Sequence, residues 1–282
     1  MNADDGQGRR IIIDSSFLRA CPADGSLLLR LANRGDRLVL IDNLVYELCS
    51  TENRAQWPAS QRKLMACPDA IECWEHTGVM LTHEAERAEA YGNPMCDDIT
   101  RHFRTLLRSG NSYTPDDLAA TTAAARQQRE EESVPALFRA SAACAACLPD
   151  LADRLRSQPL EQITDTCAEF VCNSENIRRW MRDGSSPCPF PAERVNEGWI
   201  AWHHYKATLA AICELLRQGS PSFENLAQPA QNRWINRKHD LDYLITLSRA
   251  DAIATAETAG EMYHFCRWMY RDSKTLISPQ TT

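Results

Sequence analysis

Five carboxylates fall into two groups at the ends of the chain: Asp14 and Glu47 near its start, and Asp240, Asp251 and Glu257 near its end. Each stands where an apolar run meets a helix or loop. Acids that converge on one edge of a sheet repel one another and are costly to hold ionised together. A hard divalent cation removes that cost. Mg²⁺ or Mn²⁺ accepts a few carboxylates together with waters and phosphate oxygens, so the chemistry expected is metal-dependent hydrolysis of a phosphodiester. Taken singly, an acid after a strand is commonly a helix cap or turn former, and a glutamate on a helix is commonly solvated. The joint placement is what argues for a site.

The elements that must hold these acids read as strand, acid, helix. After Arg9 and Arg10, Ile11, Ile12 and Ile13 make an apolar β-branched run, a fully buried strand that stops at Asp14. A helix over 26–33 follows, with Gly35 as the residue beyond its end, and a second buried strand spans 37–41. Asp42 or Asn43 then caps a helix that projects Glu47 from its first turn or so. Near the other end, Leu241, Leu244, Ile245 and Ser248 keep helical spacing and place Asp240 at a helix start. Residues 250–257 form a short small-residue strand with Asp251 before it and Glu257 just after it.

Between the two groups the pattern is mainly helical. Thr114 and Pro115 open one helix, and others are expected over 141–156, 160–173 and 175–183, before a Pro-rich linker at 184–191. Residues 70–74 alternate as a short strand. A periodic helix through Leu209, Ile212 and Leu216 ends at Gly219, with Trp199 and Trp202 as core residues. His203 and His204 are adjacent on it and face different ways, so at most one can join a site.

Four segments, in order, resemble a PIN-like (PilT N-terminus) domain, the fold of many metal-dependent ribonucleases. Ile11-Ile12-Ile13-Asp14-Ser15-Ser16 is similar to the family's opening strand with its first acid and a small polar neighbour. Val45-Tyr46-Glu47-Leu48 is similar to its second acid. The run from Asn236 through Asp240 to Tyr243-Leu244 resembles the third-acid motif, with Asp242 as the other candidate for that acid. Ala250-Asp251 and Thr255-x-Glu257 resemble the closing motif, where the family usually has aspartate in place of Glu257. The resemblance implies a three-layer α/β/α sandwich with a central, mostly parallel sheet and a large all-helical insertion. Its parts would be 9–55 and 196–282 as core and 56–195 as the mainly helical insertion. It implies that Asp14, Glu47, Asp240 and Asp251 hold Mg²⁺ or Mn²⁺, that Glu257 supports them, and that Ser16, Asn236, Arg237, Lys238 and Thr255 meet nucleic acid. The expected activity is an endonuclease on RNA in preference to DNA. A DNA-directed, defence or toxin nuclease and a non-catalytic scaffold are the alternatives, as is a metal-independent helical HEPN ribonuclease built on Arg233 and His239.

At 282 residues and 44% hydrophobic, the chain can bury a substantial core. A net charge of −7 argues against a general nucleic-acid coat protein but leaves room for local basic patches. Candidates are Arg101, Arg104 and Arg108; Arg178, Arg179 and Arg182; and Arg233, Arg237 and Lys238, the last bordering the acids. The polar start lacks a signal peptide's regions and no apolar run spans a bilayer, so a cytoplasmic protein without membrane contact is expected. Its twelve cysteines then read as thiols, and Cys144-x-x-Cys147 has no second pair to complete a zinc site. A protein partner is expected, if anywhere, on the insertion.

Overall fold

A computed structural model describes residues 8–41, 44, 57–110, 117–184, 188–257 and 259–280, with the backbone path alone for 117–131. Among the described residues five strands, β1 (Arg10–Ile13), β2 (Arg37–Ile41), β3 (Ile71–Trp74), β4 (Ala252–Ala254) and β5 (Thr275–Ile277), make one sheet in the order β3-β2-β1-β4-β5. Every adjacent pair is parallel. β1 is central: Ile11 pairs with Leu38 on one side and Ala252 on the other. Ile11, Ile12 and Ile13 are fully buried, as continuous apolar strands in a parallel sheet require. From β1 the chain moves outward through β2 to β3, whereas β4 and β5 lie on the other flank. The strand order therefore reverses between β1 and β4, where parallel sheets open a crevice beyond their carboxyl ends.

The local signals explain the first unit. β1 ends at Asp14, where a short helix α1 (Ser15–Ala20) begins. α2 (Ser26–Asn33) buries Leu27, Leu28 and Leu31 and stops at Gly35, whose φ of 88° only glycine adopts without strain. The Asp36 N–H closes this end on the Leu31 carbonyl at 3.3 Å, which turns the chain into β2. The alternating run near residue 70 becomes β3, preceded by α3 (Trp57–Leu64) and followed by α4 (Thr77–Arg87) and α5 (Asp97–Ser109). A strand of the sheet thus comes from within the segment 56–195.

The remaining α-helices among the described residues are α6 (Asp117–Cys147), α7 (Pro149–Ser157), α8 (Leu160–Cys172), α9 (Ser174–Asp183), α10 (Ile200–Arg217), α11 (Gln228–Thr246) and α12 (Glu261–Tyr270). The helix expected over 141–156 is divided: α6 ends at Cys147, and Pro149 starts α7 because it fits a first helical turn but not an interior one. α10 is buried on almost every side and contacts α6, α8, α9, α11 and α12. Leu209, Ile212, Leu215 and Leu216 are among its fully buried residues, each worth roughly 1.5–3 kcal/mol of transfer free energy. Its N-cap residue, Trp199, offers no side-chain cap. Glu84 of α4 supplies one, accepting the Ile200 and Ala201 N–H groups at 2.8 Å and that of Tyr91 at 2.9 Å. Among the described residues, no single helix is long and apolar enough to cross a membrane.

Candidate active site at the carboxyl edge of the sheet

Asp14 leaves β1 at the crevice between β1 and β4. Its backbone is that of an N-cap residue, φ −83° and ψ 152°, yet its side chain caps nothing. Instead Oδ2 accepts the Thr255 hydroxyl at 2.9 Å and a short bond from the Ser16 hydroxyl. The two hydroxyl oxygens are 3.1 Å apart, and each also accepts a backbone N–H, Ala256 to Ser16 at 3.0 Å and Glu257 to Thr255 at 3.1 Å. The Asp14 N–H meets the Ala254 carbonyl at 3.0 Å. Two strand ends are stitched together around one carboxylate. Asp14 is 6% exposed, and among the described residues Oδ1 accepts no hydrogen bond. The bland reading of Asp14 as a helix cap is excluded by these bonds.

Glu257 lies beside it. Burial raises the pKa of its carboxyl, and the charges of Asp14 and Glu261 raise it further, against the opposing pull of Arg19. Gly260 is close as well: a Cβ there would stand 3.1 Å from Glu257 Oε2. Glu261, in the first turn of α12, pairs through both carboxylate oxygens with Arg237 of α11. The Arg237 guanidinium also lies over the Trp234 ring, 4.4 Å from its centroid.

The structure brings together Asp14, Ser16, Thr255 and Glu257 of the residues singled out in the sequence. Ser16 and Thr255, expected to face nucleic acid, orient Asp14. Arg237, expected to grip phosphate, is buried and committed to Glu261. Lys238 pairs with Asp242 at 3.4 Å, and Asn236 is exposed. Arg108 pairs with Asp69, and Arg182 with Glu175 and Glu193.

Asp240 is not at a helix start. α11 begins at Gln228 with Pro229 in its first turn, and Asp240 lies well past its middle. Asp251 is not at the carboxyl edge. An acid that precedes a strand parallel to β1 lies at the opposite edge, and there its N–H meets the Arg10 carbonyl at 2.9 Å while Oδ2 accepts the Arg10 N–H at 2.7 Å. Glu47 falls outside the described residues. Among the described residues no group of three or more His, Cys, Asp or Glu side chains is placed to hold a metal ion. Glu261 and Arg19 act on the site electrostatically; in the sequence Glu261 reads as an ordinary exposed helix charge, and nothing there marks Arg19.

Fold and site define a mixed α/β protein with a parallel sheet and an acid at its switch point. Comparison with known proteins finds no matching family model, no matching curated protein and no matching solved structure.

Proposed function

We propose that the chain is a Mg²⁺- or Mn²⁺-dependent endonuclease with a PIN-like α/β/α core, acting on RNA in preference to DNA. The observation that carries this reading is a buried aspartate at the end of the central strand, held by two hydroxyls rather than by a helix, with a second, raised carboxyl beside it. Mg²⁺ is commonly bound through one or two carboxylates, with waters and substrate oxygens completing its shell. Asp14 Oδ1 and the Glu257 carboxylate fit that donor set. When bound, the ion offsets the charge of the scissile phosphate and of the transition state. Ser16 and Thr255 hold the Asp14 rotamer, so the aspartate needs no reordering when substrate arrives. Arg237 keeps Glu261 paired and limits the negative charge at Glu257.

Cleavage of single-stranded RNA, single-stranded DNA and duplexes is measured with Mn²⁺, with Mg²⁺ and with EDTA. Metal-dependent cleavage is expected, falling at least about 100-fold in Asp14→Asn and in Glu257→Gln with the fold retained. Cleavage that persists in EDTA or in Asp14→Asn refutes the assignment. A non-catalytic scaffold is the second reading, favoured by the engagement of Asp251 at the far edge; metal binding without cleavage of any substrate selects it.

A further inference from the structure

At the amino edge of the sheet, a cleft of ≈ 480 Å³ opens between α10, the segment after α11 and the turn that leads into β5. It lies at the other end of β4 from Asp14, roughly 13 Å along the strand at about 3.3 Å per residue. Lys206 of α10 reaches into it. That residue is only 5% exposed, its ammonium lies 5.1 Å from the centroid of the Tyr270 ring, and among the described residues it makes no hydrogen bond or ion pair. The Tyr270 ring is its described partner, and the ammonium is left able to meet an anion from the cleft.

Two more cations line the same space. Lys274 donates to the Ala250 carbonyl at 2.5 Å, which fixes its head at the wall of the cleft. Arg271 ends α12 with φ 53° and ψ −118°, a left-handed φ that is unfavourable for arginine, and among the described residues its guanidinium pairs with no acid. Ser248 lines the cleft too, its buried hydroxyl without a hydrogen-bond partner among the described residues. His203 adds no charge: burial, together with Lys206, Arg249 and Lys274, pushes its pKa down to about 3, and its Nε2–H donates to the Glu197 carbonyl at 2.9 Å. The acids nearby are Glu197, exposed in the lining, and Asp251, whose Oδ2 accepts the Arg10 N–H and whose charge favours the Lys274 ammonium; Lys206 and Arg271 are the cations that no described acid pairs with.

We propose that this cleft binds a phosphate-bearing small molecule, its phosphate seated among Lys206, Lys274 and Arg271. Lysine and arginine suit phosphate. The volume is that of a small-molecule site rather than a bare ion site. The site stands apart from the metal reading, and its test is run in EDTA so that the two fail separately.

Melting shifts and calorimetric titrations of the full chain with inorganic phosphate, ribose 5-phosphate, adenosine monophosphate and adenosine test the proposal. The phosphate compounds are expected to bind and raise the melting temperature; adenosine is not. Inorganic phosphate binding as tightly as its esters assigns the seat to free phosphate, and tighter binding of an ester assigns it to that ester; either outcome supports the seat. Lys206→Met should weaken binding at least tenfold while leaving the ligand-free melting temperature unchanged or higher. Arg271→Gly, on the exposed side and free of backbone strain, should weaken it at least threefold. Binding undiminished in Lys206→Met, undiminished in Arg271→Gly, or absent for all three phosphate compounds overturns the proposal.

Discussion

Glu257 makes the electrostatics of the site measurable at a single residue. Its carboxyl is raised from an ordinary value near 4.5 by burial, Asp14 and Glu261. A carboxyl whose folded pKa exceeds its unfolded one binds the proton more tightly when folded. Its contribution to stability is therefore complete below the unfolded value and lost as pH rises through the folded one. In EDTA, wild type is expected to lose stability relative to Glu257→Gln as pH rises from about 4 to 7, with unfolded glutamate titrating at about 4.3. Millimolar Mn²⁺ should narrow the gap at pH 7. Urea melts of both proteins across that range decide the matter, and parallel pH profiles in EDTA mean that the two carboxyls do not interact. Asp14 and Glu257 were legible in the sequence because each punctuates an apolar run. The error at Asp251 has a simple geometric origin: acids before and after a strand belong to opposite edges, and residue order alone does not say which edge holds the site.

Among the elements, α2, β1, β2, β3, α8, α9 and α10 were marked by periodicity or by their ends, whereas two failures share a cause. α11 begins twelve positions ahead of Asp240, and over that first stretch Trp234 and Ile235 are the only large apolar residues, too few to show a helical period. β5 is three residues long, Thr275–Ile277, and is fixed by pairing with β4 rather than by its own pattern. Tertiary pairing also decides what Arg237 does. Its guanidinium is 5% exposed and its partner Glu261 is 41% exposed. Glu261→Gln leaves a buried cation without a counter-charge and should cost about 2–3 kcal/mol, below the range for a wholly buried pair because Glu261 is partly solvated. Arg237→Met in the same background should recover most of that loss. Denaturant midpoints with unchanged slopes check the cycle; if Glu261→Gln costs nothing while Arg237→Met is the damaging change, then Arg237 acts through packing on Trp234 and the ion pair contributes little.

For the whole molecule, the question is whether the helices between the two ends form a separable insertion. The buried apolar residues argue that they do not. Val134 and Phe138 of α6, Ile163 and Val171 of α8, and Ile177 of α9 belong to the same contiguous core cluster as Ile12 of β1 and Ile253 of β4. α10 is the hinge of that continuity, since it is sheathed by α6, α8 and α9 on some sides and by α11 and α12 on others. Removing 110–185 would strip apolar cover from α10 and from α12, which packs on α8, and each fully buried large side chain left exposed forfeits about 1.5–3 kcal/mol. A handful of such residues equals the 5–15 kcal/mol by which a whole domain is stable. Replacement of 110–185 by a short flexible linker is therefore expected to abolish cooperative unfolding and expose apolar surface, whether or not the carboxyl edge of the sheet is intact. Calorimetry and binding of a hydrophobic dye measure both. A truncated chain that still melts in one sharp transition, and whose melting temperature still rises with Mn²⁺, would show that the sheet and its flanking helices hold the site without the intervening helices.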